Sequence, residues 1–497
     1  MSAIAESEDT LRLSRPELMM DSALIGGRRV QAENGATFTV TNPADLSPLT
    51  EVPDCGPPEA LASLNAAVEA LPKWKGHTAK ERSAILKNWF DLLKANQEDL
   101  AKLISLEQGK PLPESRGETA YAAGYVEWFA EEAKRAYGEV IPEPVHGRKL
   151  IVVKEPVGVV AAITPWNFPL AMLARKVAPA LAAGCTMVAK PASETPLSAL
   201  AFALLAEEAG VPPGVLNILP ASRSNDVPLT EVWMRSPKIR KISFTGSTAV
   251  GKSLMRAGAD TLKKLSLELG GNAPFLVFDD ADIDSAVAGA IAAKFRNSGQ
   301  TCVCANRILV QTGVYAEFAA KLSAAVSRLR VGPAWQPGVE QGPLISNRSL
   351  AKVEDHLQDA VSRGARILTG GKRHSAGPLF FEPTVLVDAM PAMKLAHEET
   401  FGPLAPLFRF QDEAEAIHLA NDSQFGLAAY FYSRDIGRVW RVAGALEVGM
   451  VGINEGIIST EVAPFGGIKE SGFGREGARQ GLDEYLNLKY LCMGGLK

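Results

Sequence analysis

Cysteine and histidine are scarce, with five and six in 497 residues. The cysteines, at 55, 185, 302, 304 and 492, are too few and too scattered for a disulfide scaffold. Their odd number leans towards a reducing compartment. Neither residue type recurs at ligand spacing, so no metal is expected. No uncharged apolar run approaches the ~20 residues of a membrane span. The first twenty residues carry Glu6, Glu8 and Asp9 and lack an apolar stretch, which speaks against a signal or transit peptide. The net charge of −4 removes the global electrostatic case for nucleic acid. There is no tandem repeat and no low-complexity tract. The expectation is a cytoplasmic protein with a short disordered arm over 1–19 and with neither membrane nor nucleic acid as partner.

What is present is an ordinary globular composition, 46% hydrophobic and 22% charged. The length suggests roughly three domains at about 150 residues each. Asn34-Gly35 marks a turn before a strand at 37–40, and residues 78–107 read as one helix, closed by Gly109. A further helix carries Tyr121, Tyr125 and Phe129. From Gly158 to Leu269 short apolar runs alternate with helical stretches. The runs are 157–163, 186–189, 215–219, 241–244 and 265–269, and they predict a doubly wound parallel sheet. Ligands on such sheets lie beyond the carboxyl ends of the strands. A second α/β stretch follows. Residues 149–154 read as an exposed strand, and the tail 485–493 as an edge strand able to pair with another subunit.

Four segments carry chemistry-bearing residues. Phe244-Thr-Gly-Ser-Thr-Ala-Val-Gly-Lys-Ser253 places a glycine turn between a strand and a helix, a position suited to phosphate. Gly246 to Ser253 also fits the P-loop string, and Phe275–Asp279 then offers a Mg²⁺-holding strand end for an NTPase. Gly299-Gln-Thr-Cys302-Val-Cys304 puts a cysteine in a polar loop. It is either a nucleophile or a small packed hydrophobe. Glu268 ends an apolar strand before Gly-Gly. It is either a base made weakly acidic by burial or an acid just past the sheet edge, solvated or salt-bridged. In Pro165-Trp-Asn167-Phe-Pro169, Asn167 is either an oxyanion donor or part of a loop-stabilising turn.

Taken together, the chain resembles the aldehyde dehydrogenase superfamily. The likeness rests on Pro165-Trp-Asn-Phe-Pro169, Ala189-Lys-Pro191, Phe244-Thr-Gly-Ser247, Leu267-Glu-Leu-Gly-Gly271, Gly299-Gln-Thr-Cys302, Glu399-Thr-Phe-Gly-Pro403, Pro464-Phe-Gly-Gly467 and Ser471-Gly-Phe-Gly-Arg-Glu476. They stand in family order from Pro165 to Glu476. The resemblance implies an α/β fold in three parts. These are a dinucleotide-binding domain (20–140 and 156–269), a catalytic domain (270–475) and a small β arm for oligomerisation (141–155 and 476–497). It implies Cys302 as nucleophile, Glu268 as the base for the deacylating water, and Asn167 with the Cys302 N–H as oxyanion hole. For the dinucleotide it implies Thr164, Pro165, Trp166, Lys190, Ser193, Glu194, Gly246, Ser247, Leu269, Glu399 and Phe401. A homodimer or homotetramer is expected.

Within the superfamily the chain is most similar to the succinate-semialdehyde dehydrogenases. Glu107-Gln-Gly-Lys-Pro111, Lys294 to Asn306, Gly452-Ile-Asn454 and Gly456-Ile-Ile-Ser459 carry that likeness. It implies an aldehyde with a distal carboxylate, clamped by Arg175, Arg296 and Ser459. Read without a substrate, Arg296 is a cation at a helix C-terminus and Arg175 a surface residue of an amphipathic helix. Glutarate semialdehyde is the alternative substrate. Ser193 stands where NAD-preferring relatives carry glutamate, with Glu194 one step later, so NADP is expected ahead of NAD. Lys190 would be its cationic partner, and Arg223 in Pro220–Asp226 would reach a 2′-phosphate. Glu455, near the expected substrate mouth, is a departure bearing on chain length. Cys302 and Cys304 are a candidate redox pair.

Overall fold

The computed structural model describes residues 11–496. Residues 1–10 of the expected disordered arm lie outside the described residues. Its remainder is packed: Leu11, Leu13 and Leu18 are buried, and Asp99 accepts from the Ser14 and Arg15 N–H groups at 2.9 and 2.8 Å.

The first sheet has eight strands. In order they are Arg28–Val30, Ala23–Ile25, Leu216–Ile218, Thr186–Lys190, Val159–Ile163, Ile239–Thr245, Lys264–Glu268 and Gly472–Phe473. The five from Leu216–Ile218 to Lys264–Glu268 are mutually parallel. Their Val/Ile/Ala/Leu runs are buried on both faces, as a covered parallel sheet requires. The chain starts at Val159–Ile163, winds outward one way through two strands, then returns to place Ile239–Thr245 on the other side. The strand order therefore reverses between Ile163 and Thr245, and a crevice opens beyond those two strand ends. The second sheet has seven strands. Six of them, with Ala273–Val277 and Ala305–Gln311 at the middle, are parallel.

Three expectations change. The helix read over 78–107 is two, Ala79–Ala95 and Gln97–Gln108, because Asn96 leaves helical geometry (φ −105°, ψ 16°) and its Nδ2 donates to the Leu92 carbonyl. Residues 149–154 are not an open edge. Lys149–Pro156 is the central strand of a three-stranded sheet, with Glu139–Ile141 on one side and the tail Leu486–Met493 on the other. The tail satisfies that edge within its own chain. The NTPase reading also fails. Ala273–Val277 lies in the second sheet and does not neighbour Ile239–Thr245, so Asp279 is not the strand end beside the glycine turn.

Candidate active site

Two cavities meet at Cys302, which lines both. The larger, about 490 Å³, occupies the crevice where the strand order reverses. Pro165, Trp166 and Asn167 come from the loop after Val159–Ile163. Thr245, Gly246 and Ser247 come from the loop after the returning strand. Ser247 caps the Thr248–Ala259 helix and accepts from the Val250 N–H at 3.4 Å, so that helix aims its N-terminus at the cavity wall. Leu269, Glu399 and Phe401 also line it with Cys302, as do Glu194, Arg223 and Asp226. Glu399 accepts from the Gly271 N–H at 3.1 Å, and burial pushes its carboxyl up to about 7. Phe401 holds a left-handed backbone (φ 58°) and meets Trp166 edge-on at 5.4 Å. Carboxylates that accept from ribose hydroxyls and a helix N-terminus that donates to a diphosphate fit a dinucleotide.

The smaller cavity, about 280 Å³, is lined by Tyr121, Phe168, Met172, Val303 and Phe465 among apolar groups, and by Arg175, Arg296 and Ser459 among polar ones. Arg296 follows the Ile283–Phe295 helix directly, so its position at a helix C-terminus and its place in the cavity hold together. It makes no ion pair among the described residues. Arg175 is not a surface residue: the Pro169–Ala183 helix is buried throughout, and Arg175 is 1% exposed. Its guanidinium stacks on Phe465 at 3.9 Å and pairs with Glu476 at 2.6 Å. Lys176 takes the other Glu476 oxygen at 2.5 Å and donates to Thr245 at 2.6 Å.

Glu268 ends its strand 2% exposed, with neither carboxylate oxygen hydrogen-bonded among the described residues. The solvated-acid reading is therefore excluded. Burial, reinforced by Glu476, raises its carboxyl well above the usual range, against the pull of Arg175 and Lys176. Burial likewise pushes the Cys302 thiol up to about 12, with Arg175 opposing. Asn167 makes no local turn. Its Nδ2 donates to the Gln300 carbonyl at 3.0 Å, leaving one amide hydrogen uncommitted. Before Cys302 the chain turns through three left-handed residues, Asn297 (φ 51°), Ser298 (φ 55°) and Gly299 (φ 76°). Two of them are not glycine, and such strain persists only where the surroundings impose it.

Some expected residues sit elsewhere. Lys190 is 5% exposed and tied to Asp226 at 2.6 Å, so it is not a free cation for a 2′-phosphate. Ser193 lines a neighbouring cavity with Glu194, Ser222 and Arg223, and donates to Glu194 at 3.1 Å. Thr164 is not in the lining of the large cavity. Its N–H donates to the Lys190 carbonyl at 3.2 Å, which ties the two loops together. Arg223 is the cation that does line both of those cavities. Glu455 does not line the substrate cavity. Its carboxylate turns back to accept from the Gly456 and Ile457 N–H groups at 2.8 and 2.9 Å. Cys304 is buried, and its thiol donates to the Lys294 carbonyl at 3.3 Å. Sequence reasoning missed Arg348 and Lys352 on the Asn347–Ser362 helix, which line the large cavity, and Glu114, Gly117 and Glu118, which line the small one. The last three share a helix face with Tyr121 at i, i+3, i+4 and i+7, a spacing that was readable.

No helix among the described residues is long and apolar enough to cross a membrane. Comparison with known proteins adds the family. Residues 30–491 match the model of the aldehyde dehydrogenase family. The chain is 58% identical to a succinate-semialdehyde dehydrogenase [NADP(+)] of Escherichia coli, over 97% of this chain and all of that one. It is 57% identical to a 3-sulfolactaldehyde dehydrogenase of Pseudomonas putida, covering 98% and 99% of the two chains. It is 56% identical to a glutarate-semialdehyde dehydrogenase of Pseudomonas aeruginosa, covering 98% and 100%. A solved succinate-semialdehyde dehydrogenase from Burkholderia pseudomallei superposes with a TM-score of 0.96 at 58% identity, covering 97% and 100%. With the glycine turn, Cys302 and Asn167 lining one crevice, Glu268 buried outside the lining of both cavities, and these relatives over nearly its whole length, the chain belongs to the aldehyde dehydrogenase family.

Proposed function

We propose that the chain oxidises succinate semialdehyde to succinate with NAD(P), NADP being preferred. The observation that carries the reading is the position of Cys302, shared by a cavity fitted for a dinucleotide and one furnished with two arginines and a serine.

Arg296, Arg175 and Ser459 hold the distal carboxylate, which orients the aldehyde carbon towards Cys302. The Cys302 thiol gives its proton to solvent in the cavity and its sulfur attacks that carbon. The C–S bond forms, and charge moves onto the former carbonyl oxygen. The free hydrogen of Asn167 Nδ2 and the Cys302 N–H stabilise that charge. When bound, the dinucleotide supplies the hydride acceptor that makes the step an oxidation. The product at this stage is a thioester on Cys302. Glu268, once deprotonated, removes a proton from water, whose oxygen adds to the thioester carbonyl. The C–S bond then breaks and the thiolate leaves. Trp166, Glu399 and Phe401 position the nicotinamide end, and Gly246 with Ser247 the diphosphate. At the adenosine end Arg223, with Ser193, receives a 2′-phosphate, since Lys190 is engaged by Asp226.

Support for a distal acid comes from the three curated relatives above, whose named substrates each carry one. Glutarate semialdehyde is the alternative, because one methylene is worth only about 1–3 kcal/mol of discrimination. We further place the enzyme in the cytoplasm as a homodimer or homotetramer. The dinucleotide-binding domain then spans 20–140 and 156–269, the catalytic domain 270–475, and the oligomerisation arm 141–155 and 476–497. Cys304 acts as a reversible oxidation partner of Cys302 only if its thiol leaves the Lys294 carbonyl.

The test is NAD(P)H formation by purified protein over a panel of aldehydes, each dinucleotide supplied separately. Succinate semialdehyde with NADP leads if the reading holds. If butanal leads, the acid clamp is wrong, and if nothing turns over in reducing buffer, the role of Cys302 is wrong.

A further inference from the structure

Glu107-Gln-Gly-Lys-Pro111 has no part in the steps above, yet it lies under the site. Gly109 ends the Gln97–Gln108 helix in a left-handed conformation (φ 88°), and a Cβ there would meet Pro343 and Pro43 at 2.6 and 2.7 Å. That turn aims the side chains on either side of it, Gln108 and Lys110, inward. Gln108 Nε2 donates to Asn297 Oδ1 at 3.0 Å, and its Oε1 accepts from the Lys110 N–H at 3.0 Å. Lys110 Nζ donates to the Asn167 carbonyl at 2.7 Å and pairs with Glu118 at 2.6 Å. Both side chains of that pair are 0% exposed. Asn297 Nδ2 donates to the same Asn167 carbonyl at 2.9 Å. The other Glu118 oxygen accepts from the Leu170 and Ala171 N–H groups at 2.9 and 3.2 Å, at the start of the helix that carries Arg175. Lys110 also sits 3.8 Å from the centre of the Phe168 ring.

The Asn167 peptide is therefore clasped from two sides. One clasp is the buried ammonium. The other is Asn297, the first residue of the strained turn that leads to Cys302. Both trace back to Gln108 and Lys110. A buried ion pair is weak evidence of stability, since apolar residues of similar volume often do as well. The geometry it fixes is the stronger reason for its presence.

We propose that Gln108 and Lys110 are positioning residues for the oxyanion site. They hold the Asn167 amide and the turn before Cys302 at a fixed separation, so that two donors from different segments converge on one oxygen. Glu118 keeps the ammonium neutralised and ties the same unit to the Arg175 helix. The inference rests on the proposed function, because it assumes that charge develops on an aldehyde oxygen between Asn167 and Cys302.

The test uses the full-length enzyme. The double variant Lys110→Met, Glu118→Gln removes the ion pair without leaving a buried charge, and a glutamine oxygen still accepts from Leu170 and Ala171. Gln108→Met cuts the Asn297 tie and leaves the charges alone. Displacing a catalytic donor by about 1 Å costs on the order of a hundredfold in rate, so kcat of the double variant should fall roughly 10- to 100-fold. The aldehyde KM and the dinucleotide Kd should stay within about threefold, because the lost interaction belongs to the transition state. Gln108→Met should show the same split to a smaller degree, and Lys110→Arg should restore part of kcat. Each variant is assayed well below its own Tm. If the folded variants keep wild-type kcat, or lose kcat only in step with KM and Kd, the positioning role is overturned. If wild type itself oxidises no aldehyde, it is the proposed function that fails.

Discussion

The two arginines of the substrate cavity should not be equivalent. Arg175 is already engaged by Glu476 at 2.6 Å and is sealed from solvent, whereas Arg296 lines the cavity with no ion pair among the described residues. On the proposed function a substrate carboxylate takes its main charged contact from Arg296. A hydrogen bond to a charged group is worth about 1.5–3 kcal/mol. With about 1.4 kcal/mol per factor of ten, Arg296→Ala should lower kcat/KM for succinate semialdehyde roughly 10- to 150-fold. Butanal, which has no distal acid, should lose less than about threefold. Thermal stability should hardly change, since no buried partner is stranded. Arg175→Ala is a different experiment. It leaves Glu476 buried with Lys176 alone, and breaking a buried pair costs up to about 3–5 kcal/mol, less the share that Lys176 retains. It should lower Tm and harm both substrates, because Glu476 stands among the charges that set Glu268. The assay is steady-state NADPH formation with both aldehydes, beside a thermal melt of each variant. Equal losses for the two aldehydes in Arg296→Ala would refute the reasoning. So would a large acid-specific loss in Arg175→Ala with Tm unchanged.

Three further outcomes follow from the same geometry. Gly117 faces the substrate cavity, and a Cβ there meets nothing within 4 Å. Gly117→Val should reduce kcat/KM for glutarate semialdehyde more than for succinate semialdehyde, by about 0.8 kcal/mol per methylene that no longer fits; an equal effect on both contradicts it. Glu399 titrates near 7 because burial disfavours its charge, so it is protonated below that pH and loses acceptor capacity for ribose hydroxyls. The dinucleotide KM should therefore rise as pH falls below 7, and Glu399→Gln should flatten that profile; a wild-type KM independent of pH rules it out. Arg223 lines the large cavity on an exposed side chain paired with Glu194 at 3.5 Å, and on the proposed function Arg223→Ala should raise the KM for NADP and leave that for NAD nearly unchanged. An unchanged NADP KM excludes a role at the 2′-phosphate.

The wound sheet and the main site residues were readable for one reason. Buried parallel strands are short apolar runs, and the chemistry-bearing residues sit where those runs stop, at Ile163, Thr245 and Glu268. Where the reading failed, the answer depended on contacts distant in sequence. Residues 149–154 look like an open edge until the tail, more than 330 positions on, is seen to pair with them. Lys190 looks like a free cation until Asp226 is found 2.6 Å away, and Arg175 like a surface residue until Glu476 is placed beside it. The break at Asn96 was the local exception: asparagine competes for backbone hydrogen bonds, and that signal stood in the sequence. Arg348 and Lys352 reach the large cavity only because the second sheet brings their helix across it, which no local pattern records.

The central claim is that Cys302 carries the acyl group and Glu268 releases it. Glu268→Gln, mixed rapidly with succinate semialdehyde and NADP, tests this directly. A single burst of NADPH, near one per active site, is expected, followed by slow turnover. Quenched samples should carry the succinyl group on the Cys302 peptide by mass spectrometry. An acyl group on another residue, or steady turnover at the wild-type rate without a burst, would contradict the account.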